Sequence, residues 1–171
     1  MGEPPPPPRS ARLVIILSYH LILSSYLIIL SYHLILSYYK DGLGWVYYNG
    51  HCYMFTSYHV DFLMAEELCN EAGAYLADIL DAEEANFIKG VLNAVNPKDG
   101  TDYWIGGMDI DRDKTLQWLT GAEMVFRDFK NNEEPAGSPF LHMNFDDQFR
   151  WDTKDDANDK DNGFICKKAH Q

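Results

Sequence analysis

From residue 45 onward, the apolar positions alternate or recur with the periods expected of short strands and amphipathic helices. Residues 45–55 alternate aromatic and smaller side chains around Asn49-Gly50, a dipeptide typical of two-residue hairpin turns. Residues 61–72 predict an amphipathic helix whose buried face carries Phe62, Ala65, Leu68, Cys69 and Ala72. The first thirty residues of this region therefore predict a β-hairpin followed by a helix.

The remaining apolar segments predict one more helix and three short strands. Residues 82–94 have helical periodicity and stop before Pro97, which cannot continue a helix. Residues 103–107, 116–119 and 164–167 are apolar runs punctuated by Gly and Asp, as in strands of a buried sheet. Together these segments predict a domain that contains both helices and short strands.

A polar segment of about thirty residues, 128–159, separates the last two of these strands. It is rich in Asp, Asn, Gly and Pro, and a short apolar run at 140–143 interrupts it, so that His142 falls in a predicted strand. Long loops in compact domains are usually functional or disordered. We therefore predict that this long loop carries the binding surface.

The amino-terminal part has a different character. Residues 4–8 are five prolines, and residues 13–39 contain no charged side chain while being rich in Leu, Ile and Val. About 20 such residues are enough to span the hydrocarbon core of a membrane. The sequence therefore predicts a short proline-rich tail at residues 1–12 and a single transmembrane helix at 13–39.

The flanking charges predict the orientation of that helix. Arg9 and Arg12 precede it, whereas Lys40 is offset by Asp41 at its end. By the positive-inside rule the amino terminus is cytoplasmic and the domain at residues 43–171 is extracellular, as in a type II signal anchor. Two alternatives stay open: cleavage as a signal peptide, which would give a secreted protein, and absence of this repetitive segment from the mature product.

Charge and motif content exclude several classes of function. Residues 40–171 carry 12 basic and 25 acidic side chains, a balance that makes nucleic acid an unlikely ligand. A cation, a basic protein surface or a neutral sugar suits this negative field better. The sequence also lacks the common hydrolase, zinc-protease and phosphate-loop motifs, so we predict a binding protein and not an enzyme.

Taken in order, a series of residues resembles the signature of the C-type lectin domain family, of the invertebrate or type II membrane kind. The matching positions are Gly44-Trp45, Cys52-Tyr53, Ala65, Cys69, Gly73, Leu76-Ala77, Glu84, Phe87, Trp104-Ile105-Gly106, Trp118, Glu134-Pro135, Trp151 and Ile165-Cys166. The resemblance implies an α+β fold with two helices, two small antiparallel sheets and a long loop that carries the ligand site.

The same resemblance implies the state of the three cysteines. It pairs Cys69 with Cys166 in a disulfide and leaves Cys52 unpaired, as a free or buried thiol or as an intermolecular link. The family's second disulfide would join positions near Phe140 and Asp155, and neither residue is a cysteine. We therefore expect a long loop without a disulfide of its own.

The resemblance also implies a calcium and sugar site, which this sequence retains only in part. Glu134 and Asp152 remain as oxygen ligands, whereas Ala136 and Thr153 replace the amide and carboxylate expected beside them. Ca²⁺ needs six to eight oxygen ligands. We therefore expect a degraded site, at which Ca²⁺ is a possible cofactor but a weakly held one.

An auxiliary calcium site is retained to a similar extent. Asp109 and Asp113 match its acidic positions, but the other ligands fall on Gly137 and Pro139. The sequence therefore predicts half of a second metal site.

These observations favour carbohydrate recognition through the long loop, with weak or absent calcium dependence. The expected partners are glycans or glycoproteins, together with the membrane through residues 13–39. The alternative is a domain of the same fold that has lost sugar binding and attaches to a protein or mineral surface. Fold alone cannot choose between them, because function depends on the loop.

Overall fold

The computed structural model describes residues 44–95, 100–132, 138–155 and 161–170. Contacts divide the chain into two units, Met1–Gly42 and Leu43–Gln171, and all described residues belong to the second. The predicted tail and transmembrane helix at 1–39 therefore lie outside the described residues. Within the described part of the chain, no helix is both long and apolar enough to cross a membrane.

The described residues form eight strands, two α-helices and one 3-10 turn. The helices are α1 (Phe62–Glu71) and α2 (Ala82–Val95), and the turn is Lys130–Asn132. The strands are β1 (Trp45–Tyr48), β2 (His51–Val60), β3 (Tyr75–Leu76), β4 (Tyr103–Met108), β5 (Gln117–Trp118), β6 (Phe140–Asn144), β7 (Arg150–Lys154) and β8 (Asn162–Ala169).

The predicted hairpin and first helix are confirmed. Asn49 and Gly50 have φ values of 45° and 82°, as a tight turn between β1 and β2 requires. Asp61 caps α1 by accepting a hydrogen bond from the Met64 backbone N–H at 2.8 Å. The prediction placed Ala72 on the buried face, which is wrong, because this residue is the exposed carboxy-terminal cap of the helix.

The sheet differs from the expected pair of small antiparallel sheets. The strands form one sheet in the order β1-β2-β8-β4-β6-β7, with β3 pairing with β8 and β5 with β4. Parallel pairing of Tyr103 with Gly163 and of Trp104 with Phe164 joins the two halves. This pairing is between strands far apart in sequence, so no local pattern could reveal it.

The segment at 128–159, predicted as a long loop interrupted by a short apolar run at 140–143, contains two paired strands. β6 and β7 are antiparallel partners from Phe140–Lys154 to Asn144–Arg150. Trp151 in β7 is fully buried and contacts the rings of Trp118, Phe126 and Phe129 edge-on, with centroids 5.4–5.6 Å apart. Burial of the Trp151 ring stabilises β7 as a strand, although the polar composition of this segment suggested a loop.

The main core lies where α1 packs on the sheet. Phe62, Ala65 and Cys69 of α1 are buried against β4 and β8, and Phe62 contacts the rings of Trp104 and Phe140. On α2, Phe87 stacks on Tyr48 at 4.2 Å and meets the edge of Tyr53.

Candidate functional site

The predicted binding surface is built on the β6–β7 hairpin. In this hairpin His142 pairs with Asp152 and also faces Trp104 of β4, so the three residues form a row across the sheet. Side chains of paired residues lie on the same face. Asp152 therefore shares a face with a buried histidine and a buried tryptophan.

The structure describes one of the two predicted primary ligands. Asp152 is half-buried, and its Oδ1 accepts a hydrogen bond from the Thr153 backbone N–H at 2.8 Å. Glu134 lies outside the described residues. Whether the two carboxylates come together therefore stays a prediction.

The neighbouring acidic residues already have cationic partners within the chain. Asp128 contacts Lys89 of α2 through an ion pair, and its Oδ1 lies 3.4 Å from Nε of Arg150. Arg150 also donates to the Phe129 backbone carbonyl and, at 2.7 Å, to Asn132 Oδ1. These contacts hold residues 128–132 against β7, and the two cations neutralise the negative charge of Asp128.

A second pair of this kind lies at the exposed edge of the hairpin. Lys130 Nζ is 2.6 Å from Asp147 Oδ2. This hydrogen bond and the charge of Asp147 raise the pKa of Lys130, and the nearby Asp152 and Asp146 contribute in the same direction. Lys130 is therefore cationic, and its charge also acts at a distance on the predicted ligand Asp152.

Asp102 connects the hairpin to the rest of the sheet. Its Oδ1 accepts from the Phe145 backbone N–H at 2.8 Å, and its Oδ2 lies 3.4 Å from Lys154 Nζ and 3.5 Å from His142 Nε2. Lys154 also donates to Asn162 Oδ1 at 2.7 Å. One carboxylate before β4 thus contacts β6, the β6–β7 turn and the end of β7.

The structure brings the two auxiliary residues together. Asp109 is buried, and its two carboxylate oxygens accept the backbone N–H groups of Asp113 and Lys114, each at 3.1 Å. Asp113 in turn accepts from the Thr115 backbone N–H at 2.8 Å. Both carboxylates therefore stabilise their own turn, and their role as metal ligands stays a prediction.

Within 44–95, 100–132, 138–155 and 161–170, no group of three or more His, Cys, Asp or Glu side chains is arranged to hold a metal ion. Of the four predicted calcium ligands, three are described and only Asp109 and Asp113 are in contact.

The predicted disulfide is confirmed. Cys69 of α1 and Cys166 of β8 are bonded, with their Cα atoms 5.4 Å apart and 97 positions between them in sequence. Cys52 is a half-buried thiol in β2, opposite Lys168 of β8. The bridge fixes α1 to the central strand β8.

A buried charged cluster, which the sequence pattern did not predict, lies between α2 and β8. Lys167 Nζ is 2.7 Å from both Asp78 Oδ1 and Glu84 Oε1. The Tyr53 hydroxyl donates to Glu84 Oε1 at 2.5 Å, and Thr120 donates to Asp78 Oδ2 at 2.7 Å.

The buried surroundings shift the pKa values of two groups in this cluster, Tyr53 and Lys167. Burial, and then the hydrogen bond to Glu84, raise the pKa of Tyr53 far above its usual range. Burial lowers the pKa of Lys167, but the hydrogen bonds to Asp78 and Glu84 outweigh that effect, so its pKa is raised overall. At neutral pH the cluster is therefore a charged lysine between two carboxylates.

One sequence signal could have indicated the buried lysine. Gly163 to Cys166 are apolar without alternation, which is typical of a strand covered on both faces. A lysine directly after such a run is buried as well and needs an anionic partner. No comparable signal exists for Asp102, because Phe145 and Lys154 lie in a turn and a strand that the sequence did not predict.

Comparison with known proteins places these features in a family. The family model described as the lectin C-type domain matches residues 59–168. Ladderlectin of Oncorhynchus mykiss is 28% identical over 129 residues, which is 74% of this chain and 67% of that protein. The CD209 antigen of Symphalangus syndactylus is 30% identical over 93 residues, 53% of this chain and 23% of its own length.

Solved structures with the same fold include a complex with a sugar and an antifreeze protein. SPL-1 in complex with GlcNAc superposes with a TM-score of 0.67 at 24% identity, covering 74% of this chain and 93% of that one. A calcium-independent type II antifreeze protein superposes with a TM-score of 0.62 at 23% identity, covering 74% and 92%. At these identities the likeness shows the fold alone.

Proposed function

Because this chain belongs to the C-type lectin domain family, we propose that its domain recognises carbohydrate through the β6–β7 surface, with weak or absent calcium dependence. Domains of this family are generally binding modules and not enzymes. Ladderlectin and the CD209 antigen, two relatives in sequence, support the assignment to the lectin class.

The charge arrangement around Asp152 is the observation that carries the calcium part of the proposal. Lys130, which pairs with Asp147, contributes its charge close to Asp152. Asp152 itself accepts a hydrogen bond from its own loop backbone. A metal ion at this position would lack the carboxylate that Thr153 replaces, and the positive charge of Lys130 would weaken its attraction to Asp152.

A neutral sugar can bind such a surface without a metal. Hydroxyl groups both donate and accept hydrogen bonds, so they pair equally well with Asp152, with the Asn144 amide and with lysine. The half-buried Asp152 and Asn144 offer these groups on the same face of the β6–β7 strand pair.

A glycan array probed with the labelled full chain in detergent tests this function. We expect binding to neutral glycans that changes less than about threefold between EDTA and millimolar Ca²⁺, and that Asp152→Ala weakens by about tenfold, since one charged hydrogen bond is worth about 1.5–3 kcal/mol. Asp111→Ala, in an exposed turn, is the matched control. Loss of all glycan binding in EDTA would overturn the calcium part, and an absence of binding to any glycan would favour the protein or mineral-surface alternative.

We further propose that residues 13–39 anchor the domain as a type II membrane protein. The uncharged apolar run and the preceding Arg9 and Arg12 support this orientation. Protease treatment of intact cells should release the domain at 43–171, whereas the same domain in the culture medium with a new amino terminus near Trp45 would favour cleavage and secretion.

A further inference from the structure

A cavity of about 380 Å³ opens between α1, β3 and the segment after β5. Pockets that take small ligands are typically about 300–1,000 Å³ and combine apolar lining with a few convergent polar groups. Two leucines and four polar residues line this one: Leu76, Leu119, Glu66, Asn70, Tyr75 and Thr120.

Three of the four polar side chains at this cavity make no hydrogen bond that holds the fold, whereas the Thr120 hydroxyl donates to Asp78 Oδ2 at 2.7 Å. Glu66 and Asn70 are one helical turn apart on α1, so both side chains project to the same side. Among the described residues, the Glu66 carboxylate, the Asn70 amide and the Tyr75 hydroxyl have no side-chain hydrogen-bond partner. Three groups that can bind a ligand therefore converge on one space without holding the structure together.

The mixture of donors and acceptors defines the chemistry of the ligand. Glu66 only accepts, Asn70 both donates and accepts, and Tyr75 keeps its hydroxyl proton because burial raises its pKa. An ammonium group only donates and would leave the donors of Asn70 and Tyr75 unused. A carboxylate or sulfate would be repelled by Glu66. A ring bearing several hydroxyl groups satisfies all three side chains.

A second cavity gives a larger ligand room to extend. It has a volume of about 670 Å³ and also includes Tyr75 in its lining, together with Gly73 and Lys168. Tyr75 therefore lies between two concave spaces, and its ring offers an apolar surface on which a sugar ring can pack.

This region is separate from the β6–β7 surface. Tyr75 pairs with Lys167 of β8. Asp152 lies in β7, which is three places from β8 in the sheet order. At about 4.8 Å per strand, a ligand at one position would not touch the other.

We propose that the α1–β3 cavity is a second ligand site, which binds a neutral, hydroxyl-rich ring such as a hexose or N-acetylhexosamine through Glu66, Asn70 and Tyr75. It requires no metal ion and does not depend on the proposed β6–β7 site. A glycan with two suitable ends could occupy both sites or cross-link two copies of the domain.

Ligand-observed saturation-transfer NMR on the full chain in detergent with EDTA tests the proposal. The probes are the methyl glycosides of mannose, galactose and N-acetylglucosamine, with glucuronic acid as an anionic comparison. We expect at least one neutral glycoside to bind and glucuronic acid not to bind. In an Asp152→Ala background, Glu66→Gln should weaken the remaining binding about tenfold, as expected for a lost charged hydrogen bond. In the same background Asn70→Arg should abolish it by filling the cavity and pairing with Glu66.

Matched variants separate this site from the other one. Glu67→Gln changes the same charge on an exposed neighbour outside the cavity and should bind as the parent does. Asp152→Ala should lower the signal without removing it, because the α1–β3 site remains. If Asp152→Ala removes the signal while Glu66→Gln leaves it intact, the sugar binds at the β6–β7 surface and the second site is refuted. Absence of binding by every neutral glycoside, with circular dichroism showing a folded domain, would refute it as well.

Discussion

Lys167 lies in the interior with 1% of its surface exposed, and its ammonium group contacts the carboxylates of Asp78 and Glu84. The cluster links β8 to the segment before α2, and Leu80 supports it by donating its backbone N–H to Glu84 Oε2 at 2.9 Å. Buried ion pairs contribute little compared with a well-packed apolar replacement, but removal of one partner is costly. Single-residue changes here should therefore have large effects.

Lys167→Met should destabilise the domain by about 3–5 kcal/mol, because two buried carboxylates lose their cation. Lys168→Met is the matched control, since this neighbour is only half-buried and packs over the Trp45 ring at 3.9 Å. Its loss should cost about 0.5–1 kcal/mol. Urea denaturation measures both values, and equal losses for the two variants would contradict this account.

The same cluster predicts alkaline sensitivity. The folded-state pKa values of Lys167 and Tyr53 are both raised above their ordinary values of 10.5 and 10.0. A raised folded pKa means that the stabilisation is complete below the unfolded pKa and is lost as pH rises through the folded one. These groups should therefore contribute a constant stability up to about pH 9 and a falling one above about pH 10.

Tyr53→Phe provides the check on this pH dependence. The variant lacks the hydroxyl group that ionises in the unfolded chain, so its free energy of unfolding should fall less steeply between pH 10 and pH 11 than that of the parent. Urea titrations at successive pH values measure the slope. Identical slopes would show that other groups cause the alkaline loss.

At the scale of secondary-structure elements, the β6–β7 hairpin is held by contacts with Asp102, which precedes β4, and with α1. Asp102 accepts from Phe145 in the hairpin turn and lies near Lys154 at the end of β7. Phe140 packs on Phe62 of α1 at 4.8 Å. A polar contact at one side and an aromatic contact at the other therefore hold the hairpin that presents Asp152.

Asp102→Ala should loosen this hairpin locally. Removal of the acceptor leaves the Phe145 N–H unpaired, a loss of about 1–3 kcal/mol. Hydrogen exchange followed by mass spectrometry should show faster exchange in peptides covering 140–154 and little change in β2. Asp111→Ala, which removes an exposed carboxylate, should leave both regions unchanged, and uniform acceleration across the domain would instead indicate global destabilisation.

The disulfide between α1 and β8 makes a separate prediction. Cys69→Ser with Cys166→Ser should lower stability by about 2–5 kcal/mol, because the bridge closes a loop across most of the domain. Cys52→Ser should have a small effect, since Cys52 is unbonded and half-buried. Alkylation without reducing agent, followed by peptide mapping, should modify only Cys52, and a peptide that joins Cys52 to either other cysteine would refute the pairing.

At the scale of the whole molecule, the net charge of −12 creates a field that attracts cations without specifying a site for them. Part of that charge is used internally, in the pairs of Asp128 with Lys89 and of Asp147 with Lys130. Long-range attraction and specific metal binding are therefore separate properties of this domain.

Calorimetric titration of the full chain should show a calcium dissociation constant no tighter than about 10⁻⁴ to 10⁻³ M, the range of weak extracellular sites. Glu134→Ala should remove what binding remains, because Glu134 is one of two carboxylates predicted at the primary position. A micromolar constant that survives this substitution would place the metal among the acidic residues at 155–161.

The local pattern was sufficient for features determined by near neighbours. The Asn49-Gly50 turn, the amphipathic face with Cys69 and the second helix depend on residues a few positions apart, and all three are confirmed. The Cys69–Cys166 pairing followed from the family resemblance and is also confirmed. β7 was missed, because Arg150, Asp152 and Lys154 alternate with Trp151 in a segment too polar to suggest a strand.

The sequence by itself determined the class of domain, its helices, its hairpin and its acidic character, because periodicity and charge are properties of the chain. Only the tertiary structure decided that β4 and β8 pair in parallel, that Lys167 meets Asp78 and Glu84, and that Glu66, Asn70 and Tyr75 converge on one cavity. The β4–β8 pairing and the Lys167 cluster depend on segments far apart in sequence, and the cavity forms only where Leu119 and Thr120 approach α1 and β3. This approach is driven by burial of the whole apolar core and not by local preference.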